Sequence, residues 1–388
     1  MNFDLTEDQE AIREGVRAVA SRFDEHYWLA RDEDGRFPFE FHRAMAEGGW
    51  LGITMPEEYG GSGLGVTEAA IMMNEVARHG GGMAAVSTVH INLFGPHSII
   101  KYGTPEQKRR WIPRLVAGED QVCFGVTEPD AGLDTTRIRT LARKVDGGYS
   151  VSGQKIWTTT AQVASKILLV TRTTPIEACD KPTDGITLFY TDFDRAKIAV
   201  TRIAKMGRKA VDSNSIFIDE LFVPEEDRIG AEGGGFRYLI DSLNPERVLV
   251  AAEAIGIGHD ALARASRYAR ERVVFGRTIG QNQGVQHPLA LNWMELEAAW
   301  AMVLKAAWLY DAGRPCGPEA NAAKFLSARA AHSACEKAVM THGGLGYAKE
   351  YHVERLYREV FLTRIAPVTE QMILSFIAER VLGQAKSY

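Results

Sequence analysis

The chain has 388 residues, 45% of them hydrophobic and 24% charged, with a formal net charge of -5. That length exceeds one compact core of ordinary size, so two or three domains are expected, with room to bury a large cofactor. The mild acidity and the lack of a basic stripe exclude a nucleic-acid or anionic-membrane surface, which leaves small molecules and other proteins as partners. The four cysteines, Cys123, Cys179, Cys316 and Cys335, show neither Cys-x-x-Cys spacing nor a histidine at metal-ligand distance. They read as free thiols of a reducing compartment, and no metal site is expected. No apolar run reaches membrane-span length, and the first residues lack the basic and apolar regions of a signal peptide. A cytoplasmic protein is expected, or a mitochondrial matrix protein if the chain is a processed form.

From about residue 5 to 120 the pattern is helical. Thr6 stands before Glu7 and Gln9, and Ile12, Val16, Val19 and Phe23 recur at helical spacing, which marks a capped amphipathic helix. A second helix is expected over Phe39 to Glu47, ending at Gly48-Gly49 before a glycine- and proline-punctuated loop through Gly61. Helices resume at Thr67 to His79 and Val86 to Tyr102, and Thr104-Pro105 opens another with proline in its first turn. Between about 121 and 232, short β-branched and aromatic runs alternate with turns. Two strands meet at Gly147-Gly148, followed by Lys166 to Thr171, Gly185 to Thr191, Ile198 to Ile203 and Ser215 to Val223. Pro175 to Asp184 reads as a mobile surface loop. From Gly233 onward long helical segments return, about 235–272, 283–312, 317–342 and 368–383, and read as a four-helix bundle. The expected fold is mainly α with a central β-domain, a barrel or sandwich: a helical domain over 1–120, β over 121–232 and the bundle over 233–388.

Within the β-domain, Val126-Thr127-Glu128-Pro129-Asp130-Ala131-Gly132-Leu133-Asp134 places hydroxyls and backbone amides at a turn. Gln154-Lys155-Ile156-Trp157-Thr158-Thr159-Thr160 then ends a strand in an indole flanked by hydroxyls. Together they suit a flat ligand with an aromatic face and polar edges: Trp157 can stack on the face while Thr127 and Thr159 bond ring heteroatoms. Taken alone, they are also an ordinary turn and an ordinary strand.

This block resembles the flavin-binding signature of the acyl-CoA dehydrogenase family, and further matches run along nearly the whole chain. They are Tyr102-Gly103-Thr104-Pro105-Glu106-Gln107-Lys108, then Arg272-Val273-Val274-Phe275-Gly276-Arg277-Thr278-Ile279 with Gln283, and Gly343-Gly344-Leu345-Gly346. The resemblance implies FAD as cofactor, an acyl-CoA substrate, an electron-transfer flavoprotein as electron acceptor, and a homo-oligomer of tetrameric type. It implies that Thr127, with Phe124, Val126 and Gly132 beside it, holds the pyrimidine side of the flavin. Thr159 would bond flavin N5, and Trp157 would cover the ring face away from substrate. Arg272, Phe275 and Gln283 would reach the ADP part of FAD held by a neighbouring subunit, with Gly343, Gly344, Thr369 and Gln371 also at the cofactor. Read from the residues, the Gly343-Gly344 turn is a helix C-terminus that permits close backbone approach.

The family's reaction removes the α-proton of an acyl-CoA thioester and passes the β-hydrogen as hydride to flavin N5, giving a trans-2-enoyl-CoA. An α-proton is a poor acid, so the site needs a carboxylate base over Cα and donors at the thioester oxygen. Most members carry that base on the loop before the last long helix. Here the ungapped alignment of Arg358 to Met372 puts Pro367 at the position, with no titratable group and no N–H. In a branch of the family that handles branched or longer chains, the base lies on the first bundle helix, in a pattern resembling Leu243-Asn244-Pro245-Glu246-Arg247-Val248. The resemblance makes Glu246 the base, with Glu370 as runner-up, and sets Asn244 and Arg247 at the substrate. Without it, Glu246 reads as a solvated or ion-paired glutamate in the first turn of a helix opened by Pro245. Leu133 stands where a serine contacting CoA is usual, and Met340 replaces a glutamine near the adenine. His287, His332, His342 and His352 read as structural. The pocket wall is expected around Val86 to Pro96 and Leu239 to Leu243. The expected activity is that of an FAD-dependent acyl-CoA dehydrogenase. The alternatives are an acyl-CoA oxidase or flavin monooxygenase on the same scaffold, or a catalytically silent FAD-binding homologue.

Overall fold

In the computed structural model, residues 4–387 are described; Met1 to Phe3 and Tyr388, which the expected end domains include, lie outside them. Thr6 accepts a hydrogen bond from the Gln9 amide while the Gln9 side chain accepts from the Thr6 amide, and this reciprocal cap starts α1 (Glu7–Ala20) with Ile12 and Val16 turned inward. α2 (Glu25–Asp34) has no counterpart in the sequence pattern, because Trp28 is its one large buried apolar anchor. Its other buried residues are charged and paired, Arg31 with Asp34 and Asp32 with Arg358. α3 (Phe39–Glu47) falls on its expected span, and α4 (Val66–Arg78) follows the loop. The single helix expected over Val86–Tyr102 is two, α5 (Gly82–Phe94) and α6 (His97–Tyr102), divided at Gly95-Pro96. α7 (Pro105–Val116) starts from Thr104 and Gln107 in a second reciprocal cap.

The β-domain holds β1 (Val122–Gly125), β2 (Leu141–Val145), β3 (Gly148–Thr159), β4 (Lys166–Arg172), β5 (Ile186–Asp192), β6 (Ile198–Arg202), β7 (Ser213–Pro224) and β8 (Arg228–Ile229). They form one mixed sheet in the order β6-β7-β3-β2-β4-β5-β8, with β1 parallel to β4. Register slips occur between β3 and β7 at Val151/Gly153 and at Lys155/Thr158. The second slip lies beside Trp157, and bulges of this kind re-aim side chains. The loop expected at Pro175 to Asp184 is tied down by Arg172, which donates to the Pro182 and Asp184 carbonyls.

α8 (Gly235–Glu271) runs for 37 residues and passes through Pro245 without ending. Pro245 therefore opens no helix, and Glu246 lies in the helix interior, where first-turn dipole stabilisation does not act. Gly256 lets α8 approach α4: a Cβ there would lie 2.3 Å from the Asn74 carbonyl oxygen. Two residues on, a Cβ on Gly258 would meet Leu296 at 2.6 Å and Ala331 at 3.0 Å. These belong to α9 (Gln283–Asp311) and α10 (Gly317–His342). Between α8 and α9, β9 (Val273–Val274) and β10 (Arg277–Thr278) make a hairpin whose turn residues Phe275 and Gly276 both have positive φ.

The last expected helix is α13 (Glu370–Arg380), preceded by α11 (Val353–Val360) and the short α12 (Leu362–Ile365). Val353–Arg380 has the length and mean hydropathy of a membrane span. It is nevertheless three short helices separated at Phe361 and at Ala366 to Thr369, with Arg355 and Glu359 buried inside the protein. One apolar core joins α1, α4, α5, α8, α9, α10 and α11, so the N-terminal helices and the bundle share it. The fold is mainly α with a central β-domain. The four cysteines are unpaired.

Candidate active site

α8 brings Pro245, Glu246 and Leu249 to the wall of a cavity of about 150 Å³. α4 adds Val66 and Ala69, α5 adds Leu93, and Thr54, Leu64, His97 and Tyr310 complete it. Only Leu93 comes from the two stretches expected to form the wall; the rest comes from α4, α6, α8, the end of α9 and the loop before α4. Tyr310 lies 3.2 Å from His97 Nε2, and burial pushes His97 down to about 4, so this polar end of the cavity is neutral. Asp311, also at the wall, is committed to the N-terminus of α4, accepting from the Val66 and Thr67 amides at 2.7 and 2.8 Å.

Glu246 makes no hydrogen bond or ion pair among the described residues, and part of its surface opens to the cavity. Burial pushes its carboxyl up to about 7; His90, Arg247 and Lys324 pull it down and Glu253 adds to the rise. Two turns further along α8, Glu253 meets His90 Nδ1 of α5 at 2.6 Å. Burial opposes charge on His90, yet Glu253 and Glu246 outweigh it and raise its pKa. Asn244 and Arg247 are joined to each other, Arg247 Nη1 donating to Asn244 Oδ1 at 2.9 Å. Glu370 is buried at the start of α13, where Arg364 donates at 2.6 and 3.0 Å and Arg329 at 3.4 Å. The Arg364 hydrogen bond, against the effect of burial, holds this carboxyl below its ordinary range. Of the two glutamates, Glu246 faces the cavity with its carboxyl unbonded and Glu370 is clamped.

The turn and strand singled out in the β-domain come together. The Ile156 amide donates to the Thr127 carbonyl at 2.8 Å, and Lys155 Nζ donates to the Val126 carbonyl at 3.0 Å and to Glu128 at 2.8 Å. Glu128 also accepts from the Arg139 and Thr140 amides. Burial drags Lys155 down to about 8 against the attraction of Glu128, so the pair stays ionic at neutral pH. Sequence reasoning passed over this pair, although Glu128 and Lys155 both lie inside the motifs. Beside it, Trp157 has φ 62 and is 55% exposed. A bulky residue held left-handed at a bulge, with its ring turned to solvent, is a strained and costly arrangement that suits a ligand platform. Thr127 and Thr159 are half-buried next to it, Gly132 has open space on its Cβ side, and Phe124 lies partly buried on β1.

Two further cations, Lys324 buried and Arg208 half-buried, were not singled out. Lys324 of α10 donates to the Val368 carbonyl at 2.6 Å and so ties down the segment that carries Pro367. Arg208, before β7, reaches Ser87, Thr159 and Ser213. A lysine amid small and apolar neighbours, as in Ala322-Ala323-Lys324-Phe325-Leu326, is a signal that could have found the first; Arg208, next to Lys209, carries no such signal. Leu133 is 60% exposed. Arg272, Phe275, Gln283, Gly343, Gly344 and Gln371 are exposed, and Thr369 caps α13. A larger open cleft of about 440 Å³ lies between α2, α3 and the sheet. Its charged groups have partners: Arg31 and Arg36 pair with Asp34, Arg202 donates to the Gly35 and Lys209 carbonyls, Glu40 accepts from Tyr27 and Asp212 from Asn214.

The chain thus combines helical N-terminal elements, a β-domain with an exposed indole platform and a helical bundle that presents a carboxyl to a cavity. Residues 6–119, 123–221 and 233–382 match the acyl-CoA dehydrogenase N-terminal, middle and C-terminal domains in turn. The acyl-CoA dehydrogenase FadE12 of Mycobacterium tuberculosis is 34% identical over 100% of this chain and 99% of its own. The structure of butyryl-CoA dehydrogenase from Megasphaera elsdenii superposes with TM-score 0.93 at 29% identity, covering 98% of this chain and 100% of that one. An FAD complex of PigA superposes with TM-score 0.93 at 25% identity, covering 99% of each chain. The chain belongs to the acyl-CoA dehydrogenase family and is an enzyme of that family.

Proposed function

We propose that the protein binds FAD on the Trp157 platform and dehydrogenates an acyl-CoA thioester to the trans-2-enoyl-CoA, with Glu246 as the base. The observation that carries this reading is Glu246 itself, an unbonded carboxyl on a cavity wall, raised to about 7. At that value it is a stronger base than an ordinary carboxylate yet substantially ionised at neutral pH, which suits removal of a weakly acidic α-proton. Trp157 would stack on the flavin, Thr127 and Thr159 would bond its edges, and the Lys155–Glu128 pair keeps turn and strand together. FAD supplies the acceptor for the β-hydrogen and its electron pair. Asn244 and Arg247, joined to each other, would contact the substrate, as the resemblance implies. Pro367 offers no amide to the thioester oxygen, so that donor comes from another group; removing one such donor costs about 2.7–4 kcal/mol where it is not replaced. The cavity is smaller than the roughly 300–1,000 Å³ of drug-sized sites, which favours a short or compact acyl group.

The exposed Phe275 hairpin supports a homo-oligomer, of the tetrameric type that the resemblance implies, in which Arg272, Phe275 and Gln283 would reach FAD in a neighbouring copy. Electrons then pass to an electron-transfer flavoprotein. The deciding experiment is an anaerobic titration of the yellow protein with butyryl-, isobutyryl-, hexanoyl- and palmitoyl-CoA. Loss of the oxidised flavin absorbance with the smaller thioesters is expected. No bleaching by any thioester, with FAD bound, would overturn the dehydrogenase reading and favour a silent homologue. Rapid reoxidation of the reduced protein by oxygen would favour an oxidase.

A further inference from the structure

The base and its cavity leave Arg208 unexplained. Its backbone is left-handed, with φ 56, a conformation that a long side chain keeps only where its surroundings hold it. The guanidinium donates to Ser87 Oγ at 3.2 Å, Thr159 Oγ1 at 3.3 Å and Ser213 Oγ at 3.0 Å, and its Nε is buried with no partner. All three acceptors are neutral hydroxyls. The nearby carboxylates are engaged elsewhere. Glu359 accepts from Arg355 and from the Ala84 and Arg208 backbone amides, Glu253 meets His90, and Asp212 accepts from Asn214 and the Gln162 amide. Arg208 is therefore a half-buried cation whose side chain hydrogen-bonds no carboxylate, attracted only at longer range by Glu359, Asp212 and Glu253, an arrangement that an added negative charge nearby would stabilise.

Position decides which negative charge that is. Along α5, Ser87 touches Arg208 and Leu93 lines the cavity beside Glu246, and these residues are about 9 Å apart at 1.5 Å per residue. Arg208 thus stands at the Thr159 end of the site, away from the part of the cavity that would take the acyl tail.

We propose that Arg208 is the counter-charge for the reduced flavin, bound to it through Thr159 and raising its two-electron reduction potential. This rests on the FAD reading above, in which Thr159 bonds flavin N5. Transfer of a hydride from the substrate β-carbon brings two electrons and one proton to a neutral ring, and so adds one negative charge. Two hydrogen bonds in series put the guanidinium about 6 Å from N5. A unit charge at that distance, at an effective dielectric of about 20, favours the added charge by about a hundredfold. For a two-electron couple this corresponds to about 60 mV.

The test is a spectroelectrochemical titration of the purified holoenzyme against a reference dye, together with its affinity for sulfite, which adds to N5 and leaves a negative charge on the ring. Arg208→Gln should lower the potential by about 60 mV and weaken sulfite binding by about a hundredfold. Arg208→Lys, which keeps the charge, should restore most of both. Ser87→Asp provides a second route that leaves Arg208 in place: a carboxylate beside the guanidinium should cancel its field and lower the potential as well. A purely structural role for Arg208 would leave the potential of flavin-loaded Arg208→Gln at the parent value. Flavin-loaded Arg208→Gln or Ser87→Asp with a potential within about 10 mV of the parent overturns the proposal. A parent protein that holds no FAD would instead overturn the cofactor reading, and this one with it.

Discussion

Replacing Glu246 by glutamine should destroy the reaction and at the same time stabilise the protein, in a pH-dependent way. Glutamine keeps the size of the side chain and cannot ionise. The carboxyl is shifted from 4.5 to about 7 in the fold, mainly by burial. Between those values the native state binds more protons than the unfolded chain, so this group's contribution to stability falls as pH rises through the window. Above pH 7 the penalty is complete. At about 1.36 kcal/mol per pH unit it reaches about 3 kcal/mol, reduced to about 2 kcal/mol because water reaches the carboxyl through the cavity. Parallel urea unfolding of the parent and Glu246→Gln should show the variant more stable by about 2 kcal/mol at pH 8, with an advantage below about 1 kcal/mol at pH 5. Anaerobic mixing with the thioester that bleaches the parent should leave the variant's flavin oxidised, a loss of at least about 10²-fold in the rate of reduction. An equal stability difference at both pH values would refute the burial argument. Ordinary bleaching of the variant would refute the assignment of the base.

Flavin reduction in the parent should accelerate as pH rises from 6 to 8, with an apparent pKa of about 7 set by Glu246; a rate that is flat or falls over this range contradicts the mechanism. Lys155→Met leaves Glu128 buried without its cation, at a cost of about 3–5 kcal/mol, and should loosen the Thr127 turn from Trp157. A melting temperature and FAD content both equal to the parent's would show that the pair holds nothing together. Gly256→Val sets a side chain against the Asn74 carbonyl oxygen, a backbone atom that cannot swing aside, and should destabilise by about 1–3 kcal/mol in thermal unfolding. Asp311→Ala removes the carboxylate that accepts two amides at the start of α4 and should cost about 1 kcal/mol, read from the same thermal unfolding.

Most of the architecture was legible in the chain because its signals are local. The Thr6–Gln9 and Thr104–Gln107 caps, the turn at Gly147-Gly148 and the long periodic runs after Gly233 each act within a few residues, and the observed elements follow them. The helices that escaped, α2, α11 and α12, are short, as are the strands β1, β8, β9 and β10. Those with buried charges draw their stability from elsewhere: Asp32 of α2 finds Arg358, and Arg355 of α11 finds the Gly80 and Gly81 carbonyls. Pro245 misled for the opposite reason. Proline usually marks a helix start, yet here packing on α4, α9 and α10 carries the helix through it.

The sequence by itself determined the order of the domains, the stretches that form the indole platform and Glu246 as the carboxyl to examine, since each lies in a continuous motif. Tertiary structure alone decided that Glu246 is unbonded and Glu370 clamped, because the arginines that make the difference lie up to 41 residues away from Glu370. It also decided the cavity walls, which draw on α4, α5, α8 and α9, and the setting of Arg208, whose three hydroxyl partners come from separate parts of the chain. The strength of a base or a buried charge depends on how much water and how many opposing charges surround it. Those surroundings are assembled only when distant segments pack together.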